Sequence, residues 1–300
     1  MAAATATRVT FKHILFATDF SEVSQRALLH ALAMAKRYDS RLTVVHVAPP
    51  EMQVPIPSEP IPLEGDWQKQ RAAASLKRLE ELESLRMYAH ESVLLQGNPW
   101  PEMAGLIAEQ DIDLIVLGTH GRGVLGTLLV GSVADEVLRH AKCPVLTVGP
   151  DVSPSLADHE QLSRLLFATD FSEGSMHALP YALSLAEENN SEIILLHVLE
   201  VLEPMPAQYT SEMLAECRQR LWQLVPDDAS LWCRPQVVVS AGAAAEEIVR
   251  LAHERQTDLI VMGVHGGGTV ASHIPWTVLH SVVRQARCPV LSVRGRHLSI

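Results

Sequence analysis

Three hundred residues, 47% apolar and 20% charged, are enough for two globular domains of ordinary size and exclude wholesale disorder. A net charge of −11 excludes a general surface for nucleic acid or anionic membrane, though not a small basic pocket. Cys143, Cys217, Cys233 and Cys288 form no CxxC pair and no zinc spacing, so reduced, buried thiols are expected. Met1–Arg8 lacks the apolar core of a signal peptide, and no run approaches the ~20 apolar residues of a spanning helix, so the expected location is the cytoplasm.

Taken in chain order, strand and helix patterns alternate. His13–Ala17 reads as a strand and Ser21–Tyr38 as a helix, with Ser21 as its N-cap. Leu42–Val47 is a second strand. Ala48–Leu63 carries six prolines and reads as an extended loop, and Asp66–Ala89 has helical spacing with charged neighbours three and four apart. Ser92–Gln96 is a third strand, and Pro99–Gln110 a helix with proline in its first turn. Leu114–Leu117 is a fourth strand, Gly131–His140 the last helix and Pro144–Val148 the last strand. Strands that are apolar almost end to end and alternate with helices predict a parallel sheet covered on both faces.

The chain then repeats itself. Leu15–Glu22 (LFATDFSE) recurs letter for letter as Leu166–Glu173, and His46 and Val47 recur as His197 and Val198. Asp113–Val116 recurs as Asp258–Val261, and Cys143–Leu146 as Cys288–Leu291, at an offset six residues shorter. Strands are expected near Arg164–Ala168, Glu192–Leu199, Gln236–Ser240, Leu259–Met262 and Pro289–Val293. Two long copies mean two domains rather than a solenoid. Their expected bounds are 1–150 and 160–300, with Gly149–Gln161 as linker. Each is a doubly wound α/β domain with a five-stranded parallel sheet.

Between the fourth strand and the last helix of the first copy runs Gly118–Val133 (GTHGRGVLGTLLVGSV), with glycines at Gly118, Gly121, Gly123, Gly126 and Gly131. A strand, a glycine-rich loop and a helix start let a backbone approach an anion, and the helix N-terminus offers unpaired N–H groups. Thr18 and Asp19 follow the first strand, and parallel sheets bind ligands beyond the carboxyl ends of their strands. Asp19 also reads as a cap for the following helix. Arg122, the only cation of the stretch, either leans over phosphates or is a solvated loop residue. His120 and His265 occupy equivalent places, as ligand contacts or as loop braces; His46 and His197, at strand ends, are expected to satisfy nearby carbonyls.

Other motifs fail. Gly121–Gly126 (GRGVLG) spells GxGxxG but follows the wrong strand, too far from its helix, for a dinucleotide fold. Gly126–Ser132 is a Walker-like loop without its lysine, and His265–Gly268 (HGGG) has no GxSxG nucleophile to serve. The fourteen histidines form no HExxH or comparable metal array.

The glycine spacing, Gly118 and Gly121 followed after nine residues by Gly131 and Ser132, resembles the nucleotide-binding pattern of the universal stress protein family. So do Thr18, Asp19, Phe20 and Ser21, the strand end at His46 and Val47, and the strand start at Cys143, Pro144 and Val145. The resemblance runs nearly the whole length, twice, as in the tandem type. It implies an adenine-nucleotide alpha-hydrolase-like α/β fold with strand order 3-2-1-4-5. It also implies domains that pair through their last strands within one chain, an intramolecular pseudo-dimer with room for further homodimerisation. By resemblance the ligand is ATP, with or without magnesium. Asp19 and the backbone at Val47 would hold the adenosine, with Thr18 beside Asp19 among the candidate residues. The glycine loop with Gly118, Gly121 and Gly131, then Ser132 and the N–H groups that follow at Val133, would hold the phosphates; His120 and Arg122 are candidates by their place in that loop. The second copy departs from the pattern: Trp276 and Thr277 stand where glycine and serine should, and Pro275 beside them removes an N–H donor, so poor triphosphate binding is expected there.

The expected function is a nucleotide-dependent regulatory module of stress response with an unidentified protein partner. The alternatives are a slow ATP hydrolase or adenylate-processing enzyme, for which catalytic groups are few, and an interaction scaffold with vestigial pockets.

Overall fold

A computed structural model describes residues 8–48, 73–119, 130–200, 207–264 and 276–295, apart from 80, 83, 84, 86, 155, 156 and 158–160, with backbone only at 207–210 and 276. In the front half, strands β1 (His13–Ala17), β2 (Arg41–Ala48), β3 (Glu91–Gln96), β4 (Leu114–Gly118) and β5 (Val145–Val148) lie parallel in the order β3-β2-β1-β4-β5. The rear half repeats this with β6 (Arg164–Ala168), β7 (Glu192–Leu199), β8 (Arg234–Ala241), β9 (Leu259–Val264) and β10 (Val290–Arg294) in the order β8-β7-β6-β9-β10. Both orders are 3-2-1-4-5. The two sheets do not end there: β5 and β10 pair antiparallel, Leu146 opposite Leu291, making one ten-stranded sheet. Thr147 Oγ1 donates to Val290 O and Ser292 Oγ to Val145 O, each at 3.2 Å, so even the side chains of the seam bond across it.

Alternation along each strand feeds two apolar layers. Ile14 and Phe16 of β1 pack on one face with Ala27, Leu28, Ala31 and Ala35 of α1 (Glu22–Tyr38), joined there by residues of α5 (Glu173–Asn189). Leu15 of β1 points the other way, into a layer with α3 (Pro99–Glu109), α4 (Ser132–His140), α7 (Ala244–Glu254) and α8 (Trp276–Gln285). α1 starts where its cap predicts, Ser21 accepting from the N–H of Ser24 at 3.2 Å, and ends at Asp39 in the left-handed conformation.

The long helical expectation over Asp66–Ala89 is met only in part. Helix α2 covers 73–79, and residues 81, 82, 85 and 87–90 are turn or irregular; residues 49–72 lie outside the described ones. The cause is tertiary. Leu79 and Leu85 are both driven into the core, and Tyr88 OH donates to Ala35 O and Ser40 O at 2.9 and 2.7 Å, binding the end of α1. A continued helix cannot make both contacts.

The halves also meet through polar groups at the C-terminal ends of α1 and α5. Tyr38 OH donates to Glu188 Oε2 at 2.7 Å, with Ser184 Oγ and Arg8 Nε on Oε1. Burial first, then the Glu188 hydrogen bond and charge, push the Tyr38 hydroxyl well above its ordinary range. Glu188→Ala leaves this hydroxyl without its acceptor and should lower unfolding free energy by about 1–3 kcal/mol. Chemical denaturation of the variant checks this, and an unchanged midpoint would contradict it.

Candidate functional site

The site is built from the ends of β1, β2 and β4. After Ala17 the chain turns through Phe20, which holds φ 62°, a conformation uncommon outside glycine. Two local bonds hold that turn: Phe20 N–H donates to Thr18 Oγ1 at 2.9 Å and Ser21 N–H to Asp19 Oδ1 at 3.0 Å. Thr18 Oγ1 also bonds Ser24 Oγ at 3.0 Å, tying the turn to α1. His46 Nδ1 donates to Thr18 O at 2.7 Å, so the histidine satisfies a carbonyl as its strand-end position predicts. Its ring lies 4.5 Å from that of Phe20, over which the Arg78 guanidinium stands at 4.3 Å.

The glycine loop leaves β4 at Gly118 and returns at Gly131. Its ends are stitched together: Thr119 N–H donates to Val148 O at 3.0 Å and Gly131 N–H to Thr119 O at 2.7 Å. Gly131 is the N-cap of α4 and supplies no side-chain cap, unlike Ser21 at α1. The N–H groups of the first turn of α4 are therefore left to whatever enters the cleft. Gly118 is needed for close approach, since a Cβ there would lie 3.1 Å from Ser24 N and from a methyl of Val23.

These ends enclose a cavity of about 270 Å³. Thr18, Asp19, Val47, Gly118, Gly131, Ser132 and Val133 all line it. The sequence places them up to about a hundred residues apart; the parallel order of β1 and β4 brings them together. His120, Gly121 and Arg122 lie outside the described residues. Sequence reasoning missed Ser24, Pro99, Met103, Thr119 and Ala134 as lining residues and assigned His46 no place in the cleft. Ser24 had a signal, recurring as Ser175 with the same bond to Thr169. Met103 had none, because it comes from α3 on another part of the chain. The volume is near the lower end of small-molecule sites, ~300–1,000 Å³.

A family model, that of the universal stress protein family, matches residues 10–149 and again 162–294. The chain belongs to the universal stress protein family. A universal stress protein of Mycobacterium tuberculosis is 28% identical over 296 residues, covering 94% of this chain and 96% of its own. One from Thermus aquaticus is 36% identical over 141 residues, 46% of this chain and 98% of that protein. Among solved structures, a universal stress protein from Archaeoglobus fulgidus superposes with a TM-score of 0.69 at 23% identity, over 96% of this chain and 98% of that one. That likeness is one of fold.

Within this universal stress protein the rear half keeps one end of the site and changes described residues at the other. Thr169, Ser175, Phe171 at φ 61° and His197 reproduce the front turn bond for bond, with Arg220 stacked 4.0 Å over Phe171. Burial works to raise the Asp170 carboxyl, but bonds from Ser172 and Ser175 outweigh it and hold it below the ordinary range. At the other end Leu279 is buried where the front half has Ala134, and a Cβ on Gly263 would fall 2.2 Å from Gly174 O. The Trp276 side chain and Pro275 lie outside the described residues. Cys143, Cys233 and Cys288 are thiols pushed up by burial to about 12, 11 and 12, which leaves them protonated and inert. Among the described residues no helix is long and apolar enough to cross a membrane, and no cluster of three or more His, Cys, Asp or Glu offers a metal site.

Proposed function

We propose that the front domain (1–150) binds ATP, alone or as its magnesium complex, and that this chain is a cytoplasmic, nucleotide-dependent regulatory protein of stress response whose output is a change in how it engages a protein partner. The observation that carries this reading is one cavity shared by Asp19 and the uncapped start of α4. Asp19 and Val47 face the adenosine with Thr18. Gly118, Gly131, Ser132 and Val133 face the phosphates, and His120, Gly121 and Arg122 of the loop are proposed to join them. Several backbone N–H contacts act together, since one exposed helix-terminus contact is worth only ~0.3–1 kcal/mol. Among the described lining residues there is no lysine or arginine, and His46 has its Nδ1 proton committed to Thr18 O. With Asp19 and, from the loop, His120 and Arg122 as the candidate groups, the set is thin for phosphoryl transfer and suits retention of a nucleotide better. The rear domain (160–300) takes triphosphate poorly.

Extraction of the purified protein and identification of the released nucleotide tests the binding; no adenine nucleotide, retained or added, would refute it. Following ADP from bound ATP, with and without magnesium, tests whether the site only holds its ligand. Asp19→Ala should weaken adenosine and ATP alike, by about tenfold, the loss of a charge-assisted bond. Calorimetric titration with both ligands checks this; a loss confined to ATP would move Asp19 away from the adenosine end.

A further inference from the structure

The helix that begins at the candidate phosphate site carries an acid in its own first turn. α4 starts at Ser132, and Asp135 stands one turn in. A carboxylate there suits the helix dipole but opposes any anion drawn to the same N–H groups. A permanent cation and a titratable imidazole bear on it. Arg139 Nε donates to Asp135 Oδ2 at 2.9 Å from one turn along α4, and His280 Nε2 lies 2.7 Å from Asp135 Oδ1. His280 belongs to the rear half, on α8, at the position of the repeat that corresponds to Asp135 itself. Both side chains are about a quarter exposed, 26% each, so their interaction is only partly screened.

We propose that His280 is a positioning residue of the front-half nucleotide site, supplied by the rear half: it holds the Asp135 carboxylate aside and, when protonated, cancels its charge, so that His280 protonation and polyphosphate binding strengthen each other. This rests on the nucleotide reading of the front cavity. Asp135 is ionised at neutral pH; burial works to raise it, and Arg139 first, then His280, outweigh that and hold it below the ordinary carboxylate range. Burial lowers His280, with the Asp135 charge and hydrogen bond opposing and Arg139 adding to the fall. In the free protein the proton is therefore taken up only as pH drops beneath the usual imidazole range. A bound polyphosphate moves that uptake to higher pH, and reciprocally the proton tightens the polyphosphate.

The other charged groups around the pair are placed elsewhere. Arg294 of β10 donates to Leu138 O on α4 at 2.9 Å. On α8, Arg284 lines a separate cleft with Arg287, Asp151 and, from α7, Arg250 and His253. Arg250 is held there by Glu247 and Glu254, and Arg287 Nη1 lies 2.7 Å from His253 Nε2. His280 is thus the titrating group in direct contact with Asp135 on the side of the rear half. A unit charge ~10 Å from a polyphosphate, partly screened, changes affinity about three- to tenfold.

The test measures ATP and adenosine affinity of the full chain at about pH 5.5 and about pH 8, for the wild type, His280→Gln and His280→Lys, by titration calorimetry. ATP affinity of the wild type is expected to rise about three- to tenfold more on acidification than that of His280→Gln, while His280→Lys stays at the tight level at both values. Adenosine, with no phosphate, is expected to bind all three alike. The same experiment by NMR shows the His280 titration moving to higher pH when ATP is bound, a readout that a purely structural histidine leaves unmoved. Parallel ATP profiles for wild type and His280→Gln, with ATP bound by both, would overturn the linkage and leave the site standing. ATP binding to none of the proteins at any pH would overturn both.

Discussion

Gly131→Trp should cut the ATP affinity of the front half by at least about 100-fold, roughly 2.7 kcal/mol, and leave the fold in place. Gly131 sits at φ −59° and ψ 147°, extended backbone open to any residue, so the cap of α4 and the bond from Gly131 N–H to Thr119 O survive the change. What does not survive is space. Gly131 lines a cavity of only about 270 Å³, and an indole there covers the N–H groups that the helix start offers. The substitution copies the rear half, where Trp276 occupies the corresponding position, into the front. Titration calorimetry measures the affinity and circular dichroism the fold. Unchanged affinity in a folded variant would mean that the phosphates lie elsewhere.

Gly263→Ala should be the most damaging single-methyl change in the rear half. Its Cβ would lie 2.2 Å from Gly174 O and 2.4 Å from Ser175 Cα, backbone atoms of the first turn of α5 that cannot swing aside. Either α5 retreats from the end of β9 or the strand distorts, at a cost of about 3 kcal/mol or more. The matching change in the front, Gly118→Ala, meets Ser24 N and a Val23 methyl at 3.1 Å and should cost only about 1 kcal/mol. The difference traces to one residue of the repeat: Val23 in the front holds α1 off β4, and Gly174 in the rear lets α5 close on β9. Thermal denaturation of the two variants separates them, with a fall of roughly 6–12 °C expected for Gly263→Ala. Equal losses, or the reverse order, would refute this account of why α5 packs more closely on β9 than α1 on β4.

The repeated elements were legible to different depths. His13–Ala17, Arg164–Ala168 and Glu192–Leu199 end where their apolar runs end, because a strand buried on both faces has no reason to continue into polar sequence. Ser21 marks the start of α1 for an equally local reason, its hydroxyl reaching an N–H three residues on. The helix expected to run to Ala89 stops early because Tyr88 is claimed by the far end of α1, a contact that spacing cannot announce. At the candidate site, Thr18, Asp19, Gly118, Gly131, Ser132 and Val133 could be named from glycine spacing and the repeat. Met103 and Pro99 could not, since they reach the cavity from a helix whose own pattern reports only that one face is apolar.

By itself the sequence determined the element types, the doubling of the chain and the candidate residues at the strand ends, because hydrophobic period, caps and glycine content act within a few residues. The pairing of β5 with β10 was implied by the family resemblance, but only the tertiary structure decided its register, that α5 presses on β9 more tightly than α1 on β4, and that His280 meets Asp135. These are contacts between segments more than a hundred residues apart, or differences in spacing set by a single missing side chain. They depend on how packed surfaces fit, not on the local pattern of either surface.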